Sequence, residues 1–133
     1  MRNWYDKMKI KKIKSCNYYH QTNEWSAKSI MQNGFNVEEG GNQRYTEGVY
    51  MSNHSGGSFG DVTLKVCFSG KFLDFSNDNF GNEWTLFKRK YWKGSYTKLT
   101  QDIKDDYPNV DGIIFESIAV IWYPNKITKI DYL

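Results

Sequence analysis

Cysteine, histidine and proline are all scarce: two of each in 133 residues. Two cysteines and two histidines are too few for a structural zinc site of the usual spacing, so no metal is expected. Cys16 and Cys67 lie far apart in sequence, each inside an apolar strand-like run, which reads as two buried thiols in a reducing compartment. Long apolar runs are missing as well. No stretch approaches the roughly 18 apolar residues of a membrane span. The basic start, residues 1–14, is not followed by the apolar stretch that marks a secretory signal. The expectation is therefore a cytoplasmic protein with no membrane partner. An excess of one charge is also lacking, since the net charge of +3 is too small to argue nucleic-acid binding by itself.

Aromatic residues are plentiful, at 17% with five Trp and ten Tyr. Such an excess needs a β-rich core, a stacking cleft, or both. The length suits one domain over residues 1–133, and no repeat or long linker divides it. Residues 7–14 carry five lysines interrupted by Met8, Ile10 and Ile13, which reads as a first strand with one wet face rather than a basic arm. Residues 15–19 read as a strand. Thr22 or Asn23 can cap a following helix, whose Ala27, Ile30 and Met31 form one apolar stripe and which Gly34 ends.

A short strand is expected at 35–37, then a Gly-rich loop over 38–47 and a strand at 48–52. Val62, Leu64, Val66 and Phe68 alternate with polar residues, the clearest strand signal in the chain. Phe72 and Leu73 lead into a polar stretch. Two short helices are predicted at 83–92 and 97–107, separated by Gly94. Three strands follow, at 111–115, 118–123 and 127–132, with a turn at Pro124-Asn125. This pattern predicts an α+β fold of two packed, mainly antiparallel sheets with short flanking helices.

The most informative order is Tyr19-His20-Gln21-Thr22, a helix ending at Asn33-Gly34-Phe35, and then Gly48-Val49-Tyr50-Met51-Ser52. It resembles the NAD-binding half of the ADP-ribosyltransferase family of the His-Tyr-Glu type, which includes poly- and mono-ADP-ribosyltransferases and their bacterial toxin and phage relatives. The matched segments run in order from Ser15 to the C-terminus. The resemblance implies an NAD-dependent enzyme, with NAD as substrate, that transfers a single ADP-ribose to a macromolecular acceptor. A protein acceptor is favoured over a nucleic-acid one. A small bacterial or phage effector acting on a host or defence protein fits this description, with substrate choice resting on loops 38–47 and 75–94.

In that family a His contacts a ribose hydroxyl, a Tyr stacks on nicotinamide, and a Glu near the C-terminus contacts the reacting ribose. The resemblance thus implies catalytic roles for His20, Tyr50 and Glu116. It implies NAD contacts for His20, Gln21, Thr22, Tyr50, Ser52 and Phe59, with Tyr45 competing with Phe59 for the same space. His20 and Tyr50 should lie on adjacent strands with their side chains facing one cleft. Laid on Ala119-Val120-Ile121-Trp122-Tyr123-Pro124, however, the family's Glu column falls on Ile118, with Glu116 two residues earlier. Strand alternation would put both residues on one face. Three readings stay open: Glu116 takes the catalytic role through a bulge, Ile118 replaces it while Glu116 orients the acceptor, or Glu116 is a solvated rim residue. Asp111-Gly112-Ile113-Ile114 matches a further family element, and as residues alone it is a turn into a strand. Lys88-Arg89-Lys90 with Trp92 reads as the wet face of a helix.

Two other functions compete. A catalytically inactive module of the same type, acting by binding a partner, is favoured by Ile118. RNA 2′-phosphotransfer needs an Arg and His cluster, and the chain has only Arg44 and Arg89 besides the N-terminal arginine.

Overall fold

The computed structural model describes residues 8–37, 44–56 and 60–133. Six strands, β1 (Ile10–Thr22), β2 (Val49–Ser52), β3 (Val62–Phe75), β4 (Gly112–Phe115), β5 (Ile118–Ile121) and β6 (Ile127–Tyr132), accompany three helices, α1 (Glu24–Asn33), α2 (Asn82–Tyr91) and α3 (Tyr96–Asp106). The strand order is β1-β2-β5-β4-β3-β6, and β1 also pairs with β3. That extra pairing closes five strands into a mixed barrel with β6 added outside the ring. All pairings are antiparallel except β3–β4.

This corrects the expectation of two packed sheets. Strand periodicity shows which residues share a face, but not whether a sheet closes on itself. Closure here depends on the length of β1 and β3, 13 and 14 residues, which pair along almost their full extent. The other edge of β3 is divided between two partners. Leu64 to Phe68 pair with β6, and Phe72 to Phe75 run parallel to β4.

The barrel interior takes Val49 and Met51 from β2, Leu64, Val66, Phe68 and Phe72 from β3, Ile114 from β4, and Ala119 and Ile121 from β5. Ala27 of α1 packs against this group. A second apolar layer lies on the outer face. There Leu73 and Phe75 of β3, with Ile113 and Phe115 of β4, meet Trp84 and Phe87 of α2 and Leu99 and Ile103 of α3. The second half of β3 is thus covered on both faces, which erases its alternation and explains why the sequence pattern ends near Phe68.

The helices begin where expected. Asn23 accepts a hydrogen bond from Ser26 N at 2.8 Å, and Gly34, with φ 77°, follows the last turn of α1. Asp78 caps α2 by accepting from the amides of Glu83 and Trp84, each at 2.9 Å. Residues 35–37 are not a strand.

Cys16 and Cys67 form a disulfide, correcting the reading of two free buried thiols. The β1–β3 ladder shifts between Ser15↔Phe68 and Tyr18↔Val66, so Cys16 and Asn17 together oppose Cys67. A bulge of two residues against one brings the sulfurs together across 51 positions of sequence. The inference from thiols to a reducing compartment falls with it. No helix among the described residues is long and apolar enough to cross a membrane.

Candidate functional site

At the β1–β2 seam a cleft of about 520 Å³ is lined by Tyr19, His20 and Gln21 of β1, Tyr50, Met51 and Ser52 of β2, Ile118 of β5, and Arg44, His54 and Gly56 from the loops flanking β2. Its cause is local. β1 and β2 pair only at Tyr19↔Ser52, so the two strands part beside His20 and Tyr50. Ser52 pairs in turn with Ile118. These registers put Tyr19, Tyr50, Ser52 and Ile118 on one outward face.

His20 has the opposite parity. Its neighbours on that side are Met51 and Phe35, with the imidazole meeting the Phe35 ring edge-on at 4.9 Å. The expectation that His20 and Tyr50 face together therefore needs revision. They border one cleft from adjacent strands, and the imidazole reaches it through the gap where the ladder ends. In that gap His20 Nδ1 lies 2.9 Å from the carbonyl oxygen of Tyr50. A carbonyl only accepts, so Nδ1 carries the proton and the neutral ring keeps Nε2 as an acceptor. Burial pushes the His20 pKa below its ordinary value, partly opposed by this hydrogen bond. The ring is therefore neutral at pH 7.

A titration follows from that burial. Below the ordinary histidine value near 6.5 the unfolded chain takes up a proton that the folded His20 resists. The stability contribution is complete above about pH 6.5 and declines as the pH falls toward the depressed folded value. Urea unfolding at several pH values should show stability falling on acidification more steeply for wild type than for His20→Phe. Equal slopes would show that His20 does not contribute.

Tyr50 is built into the wall. Its hydroxyl donates to Thr46 O at 2.6 Å and accepts from Tyr45 N at 2.9 Å, and burial pushes its pKa up to about 12. The neighbouring loop is fastened beneath it. Trp122 Nε1 donates to Thr46 Oγ1 at 2.9 Å, Glu47 N donates to Thr100 Oγ1 at 2.9 Å, and Thr97 Oγ1 donates to Glu47 Oε2 at 2.9 Å. Gly48 is required by closeness as well as by its φ of 156°, because a Cβ there would sit 2.7 Å from Val120 Cγ1. Tyr45 stacks on Phe115 at 3.8 Å and lies near-parallel to Tyr50 at 6.4 Å, so its ring belongs to the packed layer behind the wall. The Arg44 guanidinium lies 5.2 Å from the Tyr45 ring centre and borders the cleft.

The other expected contacts divide. Gln21 lines the cleft and donates from Nε2 to Ser55 O at 3.2 Å. Ser52 lines it and accepts from His54 N at 3.1 Å. Thr22 pairs with Val62 and is not among the lining residues, and Gly60 passes against its carbonyl. Phe59 lies outside the described residues.

Glu116 is exposed and does not line the cleft. With Ser117 it forms the turn between β4 and β5, whose last ladder pair is Ile114↔Ala119. A two-residue turn breaks the alternation that placed 116 and 118 on one strand face. Asn53 holds that turn beside β2, donating from N to Ser117 O at 3.0 Å and from Nδ2 to Glu116 O at 3.1 Å. Ile118 does line the cleft.

Arg44 and His54 were not anticipated as cleft residues. The only signal for them was rarity, since each belongs to a scarce residue type in a polar loop. Lys88 is held between two rings, 4.7 Å from the centres of both Trp92 and Tyr96, which gives it a packing role, while Arg89 and Lys90 are exposed. Among the described residues no group of three or more His, Cys, Asp or Glu could hold a metal ion. Comparison with protein families, with curated proteins and with solved structures finds no match for this chain.

Proposed function

We propose that the cleft binds NAD and that the protein is a mono-ADP-ribosyltransferase with a macromolecular acceptor, a protein by preference. The observation that carries this reading is His20, a neutral imidazole fixed through Nδ1–H with Nε2 left to accept from a ribose hydroxyl. Tyr50 supplies an aromatic wall beside it, and Arg44 supplies a charge suited to a pyrophosphate. The reading rests on these site residues alone, because the closed barrel is not the two-sheet architecture that accompanied the sequence resemblance.

Cleavage of the nicotinamide–ribose bond passes through an oxocarbenium-like state, as glycoside hydrolysis does. Nicotinamide leaves with the bonding pair, an acceptor nucleophile bonds to the anomeric carbon, and its proton passes to a base. Holding the ribose hydroxyls and excluding misplaced nucleophiles is the larger part of that task. Glu116 does not line the cleft, so its proposed part is to take the proton of a macromolecular acceptor docked at the exposed turn held by Asn53.

A second reading has its own observation. Among the described residues the cleft lining includes Ile118 and no carboxylate, which suits a module that binds a partner without turnover. The deciding experiment incubates the protein with NAD, with and without cell lysate, and reads nicotinamide release and the added mass of one ADP-ribose on any acceptor. Release together with that mass shift supports the transferase. Calorimetric NAD binding with neither product supports the binding module, and absence of NAD binding removes both readings of the cleft as an NAD site.

A further inference from the structure

A second concavity lies at the other end of β1, eight positions from His20 and so about 25 Å along the strand at roughly 3.3 Å per residue. This groove of about 720 Å³ is lined by Lys12, Lys14, Lys71 and Lys126 around Gly70 and Asp111, among others. Its construction is unusual for a strand pair. Lys12 is the direct cross-strand partner of Lys71, and Lys14 follows two positions along β1 opposite Ser69. All three lysines therefore project from the same outer face, with Ile13 turned to the inner core between Lys12 and Lys14. Like charges directly opposite one another weaken a sheet.

The neighbouring Lys11 avoids that cost, because its direct cross-strand partner is Phe72. Among the described residues Lys12, Lys14 and Lys71 make no ion pair with an acidic side chain. The one acid among the groove's described lining residues is already engaged. Asp111 Oδ2 accepts from Lys71 N at 2.9 Å, and its Oδ1 lies 3.7 Å from Lys126 Nζ. The floor is close-packed as well, since a Cβ on Gly70 would lie 2.7 Å from Asp111 Oδ2. A row of exposed lysines, without an acidic partner among the described residues, thus stands over a close-packed concave floor.

We infer that this groove binds the phosphate backbone of duplex nucleic acid, without reading its sequence. The face presents positive charge at fixed strand spacing, which complements a regular anionic polymer. No aromatic side chain is among the groove's described lining residues, so those residues offer no stacking platform of the kind by which proteins hold single strands. The inference is independent of the NAD reading, and its test uses no NAD.

The experiment is fluorescence anisotropy with a labelled mixed-sequence DNA duplex of roughly 20 base pairs, titrated across salt concentrations from about 20 to 200 mM. Three phosphate-contacting lysines give an expected slope of log affinity on log salt of about −3, from about −0.9 per phosphate neutralised. The triple variant Lys12→Glu, Lys14→Glu, Lys71→Glu should lose at least about tenfold in affinity and most of the salt slope. A control of equal net charge, Lys28→Glu, Lys98→Glu, Lys129→Glu, should bind like wild type.

The single variant Lys12→Glu converts the repulsive pair into an attractive one, so it should raise the melting temperature while weakening DNA binding. That opposite movement separates a binding role from a structural one. The inference is overturned if wild type fails to bind at the lowest salt, or if both triple variants lose affinity equally. It is also overturned if a single strand, polyglutamate or anionic lipid vesicles bind more tightly than the duplex.

Discussion

Reducing the Cys16–Cys67 bond should lower the unfolding free energy by about 3 kcal/mol, the middle of the range for a disulfide closing a loop of this size. The chain-entropy estimate for a loop of about 50 residues is nearer 4 kcal/mol. The observed loss should be smaller, because the reduced unfolded chain retains structure that a free-chain estimate ignores. For a chain of this length the shift in Tm should be roughly 10 °C. Cys16 is exposed while Cys67 is buried, so a small reductant can reach the bond without prior unfolding. The measurement compares thermal and urea unfolding with and without reductant, alongside Cys16→Ser, which should behave like the reduced protein and ignore reductant. No change on reduction would mean that the ladder alone fixes the bulge. Melting of wild type in a reducing buffer equal to that in an oxidising one would also return the thiol reading of the sequence to favour.

That bond illustrates where the sequence was readable. Local signals survived: Asn23 and Gly34 bound α1, and the alternation from Val62 to Phe68 is β3. Each of these depends on residues within a turn or two of one another. What failed depends on distance. The Cys16–Cys67 contact needs a bulge in one strand and the register of another. Barrel closure needs β1 to pair with both β2 and β3. The placement of Glu116 failed for a smaller reason, since one two-residue turn between Phe115 and Ile118 removes the period-2 argument. Within the site, the chain order of His20, Tyr50 and Ser52 located the cleft wall. The sequence did not reveal that the wall is open because a single pair, Tyr19↔Ser52, joins its two strands. Arg44 and His54 reach the cleft through loops whose course no periodicity encodes.

His20→Ala should reduce NAD cleavage by about a hundredfold or more, the scale of removing one preorganised contact to the reacting group. The variant removes Nε2 as an acceptor and also frees the Tyr50 carbonyl that Nδ1–H holds. A lost activity alone would therefore not distinguish contact from wall geometry. Tyr50→Phe separates the two. It leaves the ring and the carbonyl in place while deleting the hydroxyl bonds to Thr46 and Tyr45, so it should cost stability and little turnover. Glu116→Gln completes the set. If Glu116 draws the acceptor proton, it should abolish transfer while calorimetric NAD affinity survives, because the amide keeps the shape and removes the charge. The decisive pattern is His20→Ala losing nicotinamide release and Glu116→Gln losing only transfer. Should Glu116→Gln transfer at the wild-type rate, the carboxylate at the β4–β5 turn is a rim residue. Full nicotinamide release by a folded His20→Ala protein would remove the imidazole from the chemistry, and with it the transferase reading of the cleft.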